Sequence, residues 1–274
     1  MPPLTTRIDD DGVAWVTIDH PPTNLFDLEL MLAFDQVSRA LAEDDAVRCV
    51  VVDSADPDIW IAHADVSLIL QMPDEEPPDE VGFFHAIGER FRTMPKATIA
   101  LIEGIVRGGG AETALGFDMR FGTVGRTVMG FPETLLGIMP GGGGTQRLPR
   151  VVGRARALEV ILGGLDVDAV TAERWGWLNR AFSGEGEARA HVASLARRIA
   201  STPALAQRVA KQSVDNALTM GVDDGLIAEA KLFRTLGWSP EGRALMEGYL
   251  ARDGQSRDAE LRGDIAEPPA GTRG

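Results

Sequence analysis

One cysteine in 274 residues is too few for an intramolecular disulfide framework or a cysteine-based metal cluster. That residue, Cys49, sits in the apolar run Val47-Arg48-Cys49-Val50-Val51-Val52, where a small buried hydrophobe is the plain reading. Lysine occurs only at 96, 211 and 231, so the basic side chains are nearly all arginine. No apolar run approaches the roughly 18 residues that a membrane span needs. The first residues, Met1-Pro2-Pro3-Leu4-Thr5-Thr6-Arg7, lack the apolar stretch of a secretory signal. No membrane association is expected, and the cytoplasm is the expected compartment. Positive charge is also in deficit: 27 Lys and Arg face 41 Asp and Glu, a formal net charge of −14. Phosphate neutralisation needs clustered cations, so no nucleic-acid partner is expected. A small anionic ligand is not excluded, because it responds to the local site more than to the total.

What is present is the composition of a folded chain, with 44% apolar and 25% charged residues. Its length allows one large domain, or one plus a small appendage. Thr6-Arg7-Ile8-Asp9 and Val13-Ala14-Trp15-Val16-Thr17-Ile18 flank Asp10-Asp11-Gly12 and predict a β-hairpin. Leu28, Met31, Leu32, Val37 and Leu41 share one face of a predicted helix. Residues 47–52 and 97–102 read as buried strands. Phe83, Phe84, Ile87, Phe91 and Met94 mark a helix stopped by Pro95. The acidic, Pro-rich stretch at 72–80 predicts a surface loop. This order of strands and helices predicts an α/β architecture with largely parallel strands. From about Pro203 only helices follow, at 204–218, 224–236 and 240–252. The expected division is a core at 1–202, a helical region at 203–263 and a frayed tail at 264–274.

Glycine is unevenly placed. Gly108-Gly109-Gly110 follows a buried strand and opens a helical run, and Gly141-Gly142-Gly143-Gly144 lies in a second loop. Such a turn lets another group approach the backbone, and the helix start offers unpaired N–H groups. A phosphate or a carbonyl oxygen gaining negative charge would suit it, as would simple helix–strand packing. The dinucleotide fingerprint fails, because its third glycine would fall on Thr113, and no Walker-type phosphate loop occurs. Glu112 follows the first glycine run, and Glu133 follows Pro132 in Gly130-Phe131-Pro132-Glu133. Each could simply complement a helix dipole; together they could divide acid and base roles in one site.

In series, Pro22-Thr23-Asn24-Leu25-Phe26, Ile61-Ala62-His63-Ala64-Asp65, Gly108-Gly109-Gly110-Ala111-Glu112, Phe131-Pro132-Glu133-Thr134-Leu135-Leu136-Gly137 and Pro140-Gly141-Gly142-Gly143-Gly144-Thr145-Gln146-Arg147-Leu148 resemble the crotonase (enoyl-CoA hydratase/isomerase) superfamily over about residues 5–250. The resemblance implies an α/β fold, a spiral of ββα units with a C-terminal helical oligomerisation region that builds homotrimers or hexamers. It implies an acyl-CoA thioester as substrate and no cofactor beyond that coenzyme A, with no metal. Ala64 and Gly109 match the oxyanion-hole positions. Ala64, Asp65, Val66 and Ser67 match a CoA-lining stretch, and Ala62 lies beside it; Gly109 is counted with them as a substrate-binding position. Glu112 and Glu133 match the catalytic pair of the hydratases, and Leu25 and Phe26 lie in the first matching string. The implied reaction adds water to a trans-2-enoyl-CoA, giving a 3-hydroxyacyl-CoA.

Several residues depart from the family pattern. His63 stands where glycine is usual; it either points away or contacts the ligand. Arg107 replaces a small or apolar residue and has two candidate partners, a surface carboxylate such as Glu103 or a CoA phosphate. Ser67 replaces a basic residue, and Tyr249 and Arg252 stand in for the residues that reach a neighbour's CoA. Leu68, Ile69, Leu70, Met72, Phe83 and Phe84 either line an acyl pocket or pack helices. His20, His85 and His191 read as surface or satisfied core residues, and Trp175 and Trp177 as core or interface. His63 and Arg107 motivate a second reading, another acyl-CoA reaction such as isomerisation, retro-aldol cleavage or thioester hydrolysis. A third is a non-catalytic CoA-binding protein.

Overall fold

The computed structural model describes residues 2–76, 79–263 and 265. In chain order the strands are β1 (Leu4–Ile8), β2 (Val13–Ile18), β3 (Cys49–Ser54), β4 (Ile59–Ile61), β5 (Ala97–Ile102), β6 (Ile105–Arg107), β7 (Met119–Thr123), β8 (Val128–Gly130), β9 (Asp166–Asp168) and β10 (Arg180–Phe182). The predicted hairpin forms, with β1 antiparallel to β2 and Leu4 opposite Ile18. From β2 onward the larger sheet is parallel. It has six strands in the order β1-β2-β3-β5-β7-β10. β3 is buried on both faces, as a central parallel strand must be. A second sheet of four strands runs β4-β6-β8-β9. Along the chain β3, β5 and β7 enter the larger sheet, while β4, β6 and β8 enter the smaller one, side by side and parallel. A helical segment follows each strand of that second set. The result is the expected spiral of ββα units.

The helices of this unit are α1 (Leu28–Glu43), α2 (Val66–Leu70), α3 (Phe83–Thr93), α4 (Gly108–Ala114), α5 (Gly144–Val152), α6 (Arg154–Gly163) and α7 (Ala169–Trp175). Asp27 caps α1 by accepting the Leu30 N–H at 2.9 Å. The buried face of α1 is Leu30, Met31, Phe34, Ser38 and Leu41. This corrects the predicted face, since Leu28 and Leu32 are exposed. That face also carries a polar residue: the Ser38 hydroxyl donates to the Asp35 carbonyl at 3.0 Å and accepts from Arg90 Nε at 3.1 Å. Residues 72–76, 79 and 80 are exposed and outside helices and strands, as the acidic composition predicts. Trp177 is fully buried and stacks on Phe131 at 5.5 Å, whereas Trp175 is half-buried beneath the Arg156 guanidinium. His191 lies between the rings of Phe121 and Phe182, and His20 Nε2 sits 2.8 Å from Asp27.

The chain forms two compact units, Met1–Ala196 and Arg197–Gly274, which divide within α8 (Glu187–Ala200). The second unit contains α9 (Ala204–Asn216), α10 (Val222–Gly237), α11 (Pro240–Ala251) and α12 (Arg257–Arg262). The last of these is an addition to the predicted set, capped by the Ser256 hydroxyl. The Tyr249 hydroxyl donates to the Gly254 carbonyl and lies 3.3 Å from Glu260. Apart from residue 265, the expected frayed tail lies outside the described residues. Among the described residues no helix is long and apolar enough to cross a membrane.

Candidate active site

Three segments reach one place because three parallel strands carry them there. β4 leads into Ala62-His63-Ala64, β6 into Gly108-Gly109, and β8 into Phe131-Pro132-Glu133. Asn24, 2% exposed, fixes the first: its amide donates to the Ile59 and Trp60 carbonyls at 3.1 and 3.2 Å and to the Ser54 hydroxyl at 2.9 Å. Phe26 then pairs with Ala64 as a parallel bridge. The Phe26 N–H donates to His63 O at 2.9 Å and the Asp65 N–H to Phe26 O at 3.1 Å. In such a ladder the intervening N–H, that of Ala64, points to the opposite side.

On that side lies Gly109, the second residue of α4, where a helix leaves its N–H groups without an intrahelical acceptor. The approach is close: a Cβ at Gly109 would lie 2.8 Å from Ala64 Cβ, 3.1 Å from Phe84 Cζ and 3.3 Å from Ala64 N. Only glycine allows this. The two backbone donors named from the sequence are thus neighbours in space.

Glu112 projects from α4 and is 2% exposed. Its Oε1 accepts the N–H groups of Gly142 at 2.7 Å and Gly144 at 2.8 Å. Burial pushes this carboxyl above the usual range, and the Gly144 and Gly142 donors and the Arg147 charge oppose that rise. Arg147 braces the loop, with one guanidinium nitrogen 3.3 Å from the Gly142 carbonyl and another 2.6 Å from Glu89. Glu133 opens a 3-10 turn, Glu133–Leu136. Its Oε2 is buried with no hydrogen-bond partner. Burial, with the Glu112 charge adding to it, pushes the Glu133 carboxyl up to about 7. The environments separate the two acids: one holds two N–H donors, and the other has a bare oxygen.

Other predicted residues are sorted by the structure. His63 is exposed, with Nδ1 2.9 Å from Ala64 O. Its Cβ and Glu133 Oε1 both border Gly108, 3.4 and 2.9 Å from where a Cβ there would stand. Asp65 caps α2, accepting the Ser67 N–H at 2.8 Å, and Val66 and Ser67 are exposed on its first turn. Leu25 is half-buried, and Phe26 is buried against Phe34 and Phe84. Arg107 pairs with a surface carboxylate, one of its two expected partners, but the acid is Asp166, at 2.7 and 2.6 Å, while Glu103 takes Arg189 at 3.2 Å. The second-sheet strand that carries Asp166 is three residues long, too short to leave a periodic signal. Of the acyl-pocket candidates, Phe84 borders both Gly109 and Gly142, Leu68 packs on the core, and Leu70, Met72 and Phe83 are exposed. Sequence reasoning missed the clamp of Gly142 and Gly144 on Glu112, which joins residues 30 and 32 positions apart. The glycine run was visible; what it holds was not.

The family model for enoyl-CoA hydratase/isomerase matches residues 9–253. The chain belongs to this family. It is 35% identical to the mouse mitochondrial enoyl-CoA hydratase domain-containing protein 2, over 80% of this chain and 75% of that protein. It is 34% identical to rat mitochondrial methylglutaconyl-CoA hydratase, over 83% of this chain and 72% of the relative. Among solved structures, the enoyl-CoA hydratase of Bacillus anthracis superposes with a TM-score of 0.83 at 25% identity, covering 92% of this chain and 96% of that one. Relatives named as enoyl-CoA hydratases support an enzyme of the crotonase fold, and an acyl-CoA substrate is consistent with that family.

Proposed function

We propose that this chain hydrates a trans-2-enoyl-CoA to a 3-hydroxyacyl-CoA. The reading rests on one arrangement: the buried Glu112 and half-buried Glu133 carboxyls in contrasting environments, beside two outward backbone N–H groups. The thioester oxygen accepts hydrogen bonds from the N–H groups of Ala64 and Gly109. Those bonds strengthen as negative charge builds on that oxygen, which lowers the barrier more than it tightens substrate binding. Glu112, kept ionisable by the Gly142 and Gly144 donors, takes a proton from water as its oxygen bonds to the β-carbon. Glu133, whose raised pKa favours the protonated form, gives a proton to the α-carbon. Water is thereby added across the double bond, and the proton taken by Glu112 returns to Glu133 through solvent before the next turnover. No metal or redox group enters this scheme. Ala62, Asp65, Val66 and Ser67 are assigned to the rim where CoA lies.

Arg107 gives its Nε and Nη2 to Asp166, and it is assigned to that carboxylate rather than to a CoA phosphate. The second unit exposes Leu218, Leu226, Phe233, Trp238, Met246 and Leu250. An apolar set of that size suits burial between copies, and a homotrimer or hexamer is part of this proposal.

The test follows loss of enoyl absorbance with short, medium and aryl enoyl-CoAs, and confirms a mass gain of one water. Glu112→Gln and Glu133→Gln are expected to abolish turnover while still binding acyl-CoA. Wild-type rates in either variant would overturn the mechanism, and a product of unchanged mass would point to isomerisation.

A further inference from the structure

Arg107, Gly130 and Asp166 occupy one row across three adjacent strands of the smaller sheet: Arg107 pairs with Gly130, and Gly130 pairs with Asp166. Side chains in such a row leave the same face, and strands two apart are separated by about 9.6 Å, twice the ~4.8 Å strand spacing. An arginine can bridge that gap only if the residue between carries nothing. Gly130 meets the condition, since a Cβ there would lie 2.7 Å from Asp166 Oδ1 and 2.9 Å from Leu165 O. Across it Arg107 Nε and Nη2 bond to the two Asp166 oxygens at 2.7 and 2.6 Å, a bidentate pair.

The row lies two residues before Gly109 on one strand and three before Glu133 on the next. Arg107 is followed by Gly108-Gly109, and Gly130 by Phe131-Pro132-Glu133. The two side chains are part-exposed, at 32% and 47%, and a pair this wet adds little to global stability. It does tie the end of β6 to β9 over the end of β8.

We propose that Arg107 and Asp166 are positioning residues, a clamp that fixes the Gly109 N–H relative to Glu133. This rests on the hydration reading for its kinetic consequence, and on the strand row alone for its structural one. A displacement of a fraction of an ångström at the oxyanion donor affects the transition state more than the ground state, so the loss falls on kcat.

The test uses the full-length protein and three variants: Asp166→Asn, Gly130→Ala, and the exchanged pair Arg107→Asp/Asp166→Arg. Asp166→Asn is expected to lower kcat about tenfold with KM within about twofold, and the exchanged pair to recover part of that loss. Amide hydrogen exchange is expected to quicken at residues 105–115 and 128–137 in Asp166→Asn and Gly130→Ala. If both variants keep wild-type kcat and wild-type exchange there, the clamp is overturned. A fall in Tm with unchanged kcat per folded molecule overturns it too, leaving a merely structural pair. A wild-type protein with no activity toward any enoyl-CoA defeats the hydration reading, and the exchange measurement still decides the clamp.

Discussion

Gly142→Ala tests how Glu112 is kept ready to act. A Cβ at this position would lie 2.2 Å from Phe84 Cε1 and 2.7 Å from Glu112 Oε2. The ring cannot swing aside freely, because it already borders Gly109 and packs on Phe26 at a centroid distance of 5.4 Å. The loop must therefore move, and the 2.7 Å bond from the Gly142 N–H to Glu112 is the first to lengthen. A hydrogen bond to a charged group is worth about 1.5–3 kcal/mol. At ~1.36 kcal/mol per pKa unit, its loss raises the Glu112 pKa by about one to two units. That carboxyl must be ionised to take a proton from water, so the acid limb of the kcat profile moves to higher pH by the same interval. The assay is the pH dependence of enoyl-CoA hydration in wild type, Gly142→Ala and Gly142→Ala/Phe84→Ala. Removing the ring relieves one clash and leaves the contact with Glu112 Oε2, so the double variant is expected to recover only partly. An unchanged acid limb in a well-folded Gly142→Ala would refute the argument.

Glu133 governs the other limb. Its folded pKa of about 7 lies above the ordinary 4.5, so hydration by its protonated form declines as pH rises through about 7. Folding also takes up a proton at this group, so stability falls as pH rises between those values, and Glu133→Gln flattens that part of the stability curve; denaturation midpoints against pH check it. Trp177, fully buried and stacked on Phe131, is expected to cost about 3–5 kcal/mol as Trp177→Ala, read by chemical denaturation. A cost under about 1 kcal/mol would place the ring outside the packed core.

The strands legible in the sequence were those with length and context. Residues 13–18 and 97–102 are each apolar but for one threonine over six positions, and the first follows a turn. β4, β6, β8 and β9 are three residues each, and at that length neither alternation nor composition separates a strand from a loop. Those four make the sheet that carries the site. The α1 face is ambiguous because Leu28 and Leu32 offer an apolar pair beside Leu30 and Phe34, and only packing buries the second pair. Arg107 was noticed as unusual, but its partner lies 59 residues away. A cross-strand row that passes over a glycine has no signature in local spacing.

The sequence alone determined the chemistry available: two glutamates, two glycine runs and the loops that hold them, in an order that marks the family. Residue type and near-neighbour spacing carry that information, because a turn or a helix start is specified within a few positions. Tertiary structure decided how those groups work. Parallel pairing of β4, β6 and β8 set Ala64 beside Gly109. Burial then raised Glu133, while a distant loop lent Glu112 its two donors. Such effects depend on what surrounds a group after the chain has closed on itself, and contacts between residues tens of positions apart leave no local trace.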